Sequence, residues 1–130
     1  MSEYRIRRRP RGFTLVELAL VLTITAILAG IAVFTYGNYA NKARMTQAQT
    51  ALKHLQKTQM IYFSENGVYA DNVVLLDFEP TRYDFYAISV ALDNTGFEFT
   101  GRADGHGAMG GDQWHINKDS NPVHDTPNFR

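Results

Sequence analysis

The chain has no cysteine. That excludes disulfides, thiolate metal sites and lipid attachment through cysteine. It also removes one common way of stapling a small fold, so any globular part has to hold together by packing. Net charge is lacking as well, because 13 Lys and Arg balance 13 Asp and Glu. Nothing global therefore points to nucleic acid as a partner. The balance hides an asymmetry. Residues 1–12 carry Arg5, Arg7, Arg8, Arg9 and Arg11 against Glu3, a net of +4, while residues 13–130 carry a net of −4. Charge is scarcest between residues 13 and 36, where Glu17 stands alone.

What occupies that stretch is FTLVELALVLTITAILAGIAVFTY. As an α-helix its 24 residues would span ~36 Å, enough to cross a ~30 Å hydrocarbon core. Thr14, Thr23, Thr25 and Thr35 are compatible with lipid because a threonine hydroxyl bonds back to its own helix backbone. A chain of 130 residues cannot readily surround such a helix on every face, so a soluble core helix is the weaker reading. The arginines ahead of the run, with only Lys42 and Arg44 close behind it, predict a cytoplasmic N-terminus and a C-terminal part across the membrane. A cleaved secretory signal, a plain signal anchor, and a cut just ahead of the apolar run are the three arrangements that fit.

Glu17 bears on that choice. A charged side chain at mid-membrane costs about 2.5–3.5 kcal/mol on insertion scales, and such residues are usually paired or functional. Snorkelling to the interface and the helix dipole both lower that cost. Neither explains why a glutamate stands there. A cut between Gly12 and Phe13 would place a free α-amine, with a reference pKa of about 8, near the carboxylate. In parallel, axially staggered helices the amine of one subunit would meet Glu17 of its neighbour.

The residues RGFTLVELALVL (11–22) closely resemble the prepilin signal of type IV pilins and the related pseudopilins: a short basic leader, glycine, then Phe-Thr-Leu-x-Glu opening a long apolar helix. The resemblance implies that prepilin peptidase cuts after Gly12, that Phe13 is N-methylated, and that Glu17 sets registry during assembly. Its implied partners are other copies of the chain and other pilins in a helical filament, the prepilin peptidase, an inner-membrane assembly platform, a cytoplasmic ATPase, and the inner membrane before assembly. It implies an extracellular pilus afterwards, no enzymatic activity and no cofactor. A pseudopilin of a type II secretion-like apparatus and a non-polymerising, signal-anchored periplasmic binding module are the alternatives. Two departures stand out. The family commonly has Gly and Pro at positions matching Ala26 and Phe34, and many members close the C-terminal region with a disulfide; this chain has neither feature.

The organisation expected is a cleaved leader (1–12), an apolar transmembrane and assembly half-helix (13–37), an amphipathic half-helix (38–65), and a head (66–130). The fold class expected is α+β, with the long helix packed by its second half on an antiparallel sheet of about three to four strands. Ala48, Ala51, Leu52, Leu55 and Tyr62 form the stripe expected to meet that sheet, and Asn66-Gly67 should stop the helix. A loop covers 66–82, with a short turn or strand at 73–78. Strands are predicted at 83–91, with Tyr86, Ile88 and Val90 inward; at 96–103, with Phe97 and Phe99 together; and at 112–118, with Trp114 and Ile116 together. Residues 93–96 read as a hairpin turn and 104–111 as a longer loop. Residues 119–130 are expected to dock by hydrogen bonds and Phe129, or else to move.

Asp104, His106, Asp112, His115, His124 and Asp125 contain metal-ligating types but no EF-hand spacing, so no metal is assigned. Ser89 or Ser120 with His and Asp lacks any hydrolase motif. The four histidines read as surface or sheet residues. The aromatics Phe13, Phe34, Tyr36, Tyr39, Tyr62 and Phe63 along the helix read as interfacial anchors and packing groups rather than an electron path.

Overall fold

The computed structural model describes residues 12–127; the basic leader arginines and Phe129 lie outside them. One helix, α1, covers Leu15–Asn66. Four strands follow: β1 (Tyr86–Leu92), β2 (Phe99–Gly105), β3 (Gln113–Asn117) and β4 (Val123–His124). They form one antiparallel meander in the order β1-β2-β3-β4. The fold is α+β, as expected. By internal contacts the chain divides after Gly37, and the two parts are described separately.

In the part up to Gly37, α1 is uninterrupted through Gly30 and Gly37. Thr23, Thr25 and Thr35 donate their hydroxyls to the carbonyls of Ala19 (2.8 Å), Val21 (2.7 Å) and Ile31 (3.0 Å). These back-bonds hide the only hydroxyls between residues 15 and 35 from an apolar surrounding.

In the part from Asn38 onward, Ala48, Ala51, Leu52 and Leu55 of α1 are fully buried and Tyr62 half-buried. The sheet side of the core is Tyr86, Ile88, Phe99, Ala103, Trp114 and Ile116. Burying a leucine of this kind contributes about 1.5–3 kcal/mol. Close approach of helix and sheet depends on Gly101, where an added Cβ would stand 2.5 Å from a Leu55 methyl. Gly67, at φ +75°, ends the helix, its N–H donating to the Phe63 carbonyl at 2.8 Å. Thr58 and Gln59 are the polar members of the buried face, Thr58 bonding back to the Leu55 carbonyl at 3.0 Å and Gln59 reaching out of the helix. The Gln59 amide donates to the Ala70 carbonyl (2.7 Å) and accepts the Ala70 N–H (2.9 Å), which ties the connecting segment to the helix.

Of the short turn or strand expected at 73–78, the structure has the turn, a 3-10 turn at Val73–Leu75 capped by the Asn72 side chain. Several other details differ from expectation. Strand β2 begins at Phe99, not at 96, and runs on through Gly105. Phe97 stays 54% exposed, touching Phe63 edge-on at 6.3 Å between ring centres. The turn holds it out of the ladder: the Asp93 side chain accepts the Glu98 N–H at 3.1 Å, and Gly96 takes φ +76°. His54 is neither a surface nor a sheet residue, being half-buried on α1 with its Nδ1 3.2 Å from the Tyr83 hydroxyl.

The C-terminal segment docks through polar contacts. The Gln56 amide lies 2.8–3.0 Å from the carbonyls of Asn117, Lys118 and Ser120. Asp112, expected to open a strand, instead precedes β3 as a fully buried carboxylate. It accepts four hydrogen bonds: Tyr86 Oη–H (2.5 Å), Trp114 Nε1–H (2.9 Å), Thr126 Oγ1–H (2.9 Å) and His124 Nε2–H (2.6 Å). The His124 ring also stacks on Trp114, centres 4.2 Å apart. Burial pushes the Asp112 pKa up, but the hydrogen bonds from Tyr86, His124, Trp114 and Thr126 outweigh it and leave the carboxyl below its ordinary value. Burial, with Asp112 alongside, raises the Tyr86 phenol and keeps it protonated as a donor.

A depressed folded-state pKa gives stability that is complete above the unfolded value, about 4, and is lost as pH falls through the folded value. Acid should therefore weaken the head below about pH 4. Asp112→Asn should cost about 1–3 kcal/mol at neutral pH by facing an amide toward donors. Thermal unfolding of the detergent-solubilised chain at pH 7 and pH 3 checks this. The gap between the two pH values should shrink in the variant.

Candidate functional site: the helix start and its apolar surface

The start of α1 is set by three residues. Leu18 N–H donates to the Thr14 carbonyl at 3.2 Å, the first intrahelical bond, which makes Thr14 the N-cap. The Thr14 hydroxyl accepts the Glu17 N–H at 3.2 Å. In return one Glu17 oxygen, Oε2, accepts the Thr14 N–H (3.1 Å) and the Thr14 hydroxyl (3.0 Å). Thr-x-x-Glu here is a capping box, in which two orphan donors at a helix N-terminus satisfy each other's residues. The second oxygen, Oε1, has no hydrogen-bond partner among the described residues.

Beyond the cap, α1 is apolar on every side. Large side chains from Phe13 to Tyr39 are 49–86% exposed, with Ile24 the least and Phe34 the most. One 18-residue window reaches a mean hydropathy of 2.5, with none of it buried by the rest of the chain. An apolar stripe would mark a helix lying on a core; exposure all round marks one that an apolar surrounding must cover. Of the helix aromatics, Phe34, Tyr36 and Tyr39 are at least 70% exposed, whereas Phe63 packs against Tyr69 with ring centres 4.6 Å apart and planes tilted by 31°.

Gly12, Phe13 and Glu17 thus stand together at one helix start. The residues weighed for a metal do not converge. His115 pairs with Asp125 at 2.6 Å, His124 with Asp112, and the Asp104 carboxylate takes the Gln113 amide at 3.1 Å. No cluster of three or more candidate metal ligands occurs among the described residues.

A family model for the prokaryotic N-terminal methylation motif matches residues 7–33. The type IV major pilin protein PilA of Myxococcus xanthus is 36% identical over 91 residues, covering 70% of this chain and 41% of that protein. The chain belongs to the type IV pilin superfamily. The fimbrial protein EcpC of Eikenella corrodens is 35% identical over 52% of this chain and 44% of its own length. A fimbrial protein of Pseudomonas aeruginosa is 30% identical over 66% and 54%. The chain thus spans about half, or less, of the pilins it matches.

The capping box is the part of this pilin motif that sequence reasoning passed over. The signal was present: a threonine, then a glutamate three residues on, directly before an apolar run. Thr14→Val keeps the shape and removes the hydroxyl. At about 1 kcal/mol for a lost cap, the Glu17 amide in the detergent-solubilised chain should exchange hydrogen roughly fivefold faster. Amides near Ala48 should not change.

Proposed function

We propose that the chain is a pilus subunit, major or minor, made as a prepilin. Prepilin peptidase cuts between Gly12 and Phe13, and Phe13 is N-methylated. The subunit waits in the inner membrane with its N-terminus cytoplasmic. An assembly platform driven by a cytoplasmic ATPase then moves it into a helical filament outside the cell. The role is structural rather than enzymatic.

The observation that carries this reading is the all-round exposure of the apolar helix directly behind a capped, singly charged start. Lipid covers such a surface before assembly and the helices of other copies cover it afterwards. Exchanging one for the other changes little hydrophobic energy, so packing and polar contacts have to supply specificity. Glu17 is the polar group that this reading uses. Its Oε2 is engaged by its own Thr14, and its Oε1 has capacity for the Phe13 ammonium of a neighbouring copy. Leaving one member of such a pair unpartnered in low dielectric costs about 3–5 kcal/mol. Gly12 supports the processing step. Among the described residues a Cβ built on it meets nothing within 4 Å. Packing inside the chain does not ask for glycine there, whereas a protease that must admit extended backbone closely does.

Protein recovered from its own membranes should begin at Phe13 and carry one added methyl group, read by intact mass. A bulky replacement, Gly12→Leu, should leave the uncut precursor. A mature chain that begins elsewhere refutes the processing assignment.

Glutamine serves the capping box as well as glutamate. Glu17→Gln therefore separates the two roles of the side chain. The variant should be cut normally and keep its helix start, yet yield few filaments in cells without wild-type copies. Abundant filaments from it would remove the ion pair from the mechanism.

A further inference from the structure

Charge in the part from Asn38 onward is sorted by element. Residues 38–57 of α1 carry Lys42, Arg44, Lys53 and Lys57 and no acid. The connecting segment, residues 66–85, carries Asp71, Asp77, Glu79 and Asp84 against Arg82 alone. The lysines share a face. Lys53 and Lys57 follow Lys42 by 11 and 15 positions, which at 100° per residue puts all three within about 60° around the axis. The buried Ala48, Ala51, Leu52 and Leu55 lie on the opposite side. Arg44 stands apart from the stripe, its guanidinium 5.0 Å from the Phe85 ring centre.

The four acids are exposed, as are the three lysines. Among the described residues none of these seven takes part in an ion pair, the Lys/Arg pair present being Lys118–Glu98; Lys53 donates instead to the Asn121 side chain at 2.8 Å. The acidic segment also presents Val74, 80% exposed, and Leu75, 53% exposed, at its 3-10 turn. Exposed apolar residues in a segment that carries four acids have the composition of an interface centre and its polar rim.

We propose that the acidic connecting segment of one copy docks on the lysine stripe of α1 of a second copy. The inference rests on the filament reading and names the head-to-head contact within it. The two surfaces differ, so the contact is heterologous. A heterologous contact that does not close into a ring propagates as an open helical polymer. Opposite charge on the two surfaces also opposes the wrong pairings, stripe on stripe and segment on segment, through like-charge repulsion.

Lys57 and Asp77 line one groove of the same chain, so the two full-length charge reversals that test this, in cells lacking wild-type chain, avoid both: Lys42→Glu with Lys53→Glu, and Asp71→Lys with Glu79→Lys. Each should lower filament yield about tenfold, and joining both in one chain should restore it to within about threefold. Reversals that leave the yield unchanged, or a joined variant no better than either alone, overturn the docking. Because the chain lacks cysteine, Lys42→Cys and Glu79→Cys placed on separate, differently tagged copies give an independent reading. Mild oxidation should link the unlike copies at least about fivefold more than like ones; equal or absent linking overturns the proposal. If the unsubstituted chain forms no filament, the pilus reading fails, and cross-linking in the membrane still decides the contact.

Discussion

A helix that is apolar on every side has to be covered by something other than its own chain, and much of this protein's design answers to that constraint. The large apolar side chains from Phe13 to Tyr39 leave about half or more of their surface open, so in water this stretch would expose a continuous apolar surface. Its polar groups are arranged accordingly. Threonine hydroxyls turn back onto carbonyls one turn earlier, and the helix start is closed by Thr14 and Glu17. Two backbone donors of the helix start, the N–H groups of Thr14 and Glu17, and the threonine hydroxyls are thereby satisfied before any partner arrives. Among the described residues one carboxylate oxygen is left over, at the place where a directional contact can discriminate among otherwise interchangeable greasy surfaces.

The part from Asn38 onward solves the opposite problem. It must stay folded in water without a disulfide, on a core of modest size. Its C-terminal segment is held by concentrated polar contacts instead: four donors on the buried Asp112, and three carbonyls around the Gln56 amide. A buried carboxylate that accepts four hydrogen bonds offsets its desolvation only while all four are made. That makes the clasp cooperative and geometrically specific, which apolar packing alone is not. It also makes the clasp sensitive to acid, which a disulfide is not.

Much of this was legible in the residues, for physical reasons. Helix and strand periodicity report burial directly, so the stripe at Ala48, Leu52 and Leu55 and the inward set Tyr86, Ile88, Trp114 and Ile116 could be read before any coordinates. Asn66-Gly67 marked the helix end because a left-handed residue is needed there. What escaped was set by tertiary register. Asp112 gathers partners from positions 86, 114, 124 and 126, and only the meander's pairing brings them to one point. Phe97 was misplaced because alternation runs smoothly through 97 and 99, whereas the Asp93 side chain captures the Glu98 amide and starts the strand later. Gln59 sat on the apolar stripe as a warning: a glutamine on a buried face needs backbone partners, and Ala70 supplies both.

The two kinds of contact proposed between copies differ in what they decide. Apolar helix surfaces attract without direction, so alone they would permit many axial offsets. A charge pair at the helix start restricts the offset, because a displacement of a single turn, about 5.4 Å, would separate Glu17 from its amine. The lysine stripe and the acidic segment act further along the chain and are themselves unlike, so they set polarity: each copy offers one surface and accepts on the other. A subunit with one registry contact and one polarity contact has two independent conditions to meet before it joins. Errors that satisfy the greasy surface alone are then left with a half-made ion pair, unmatched lysines, or both.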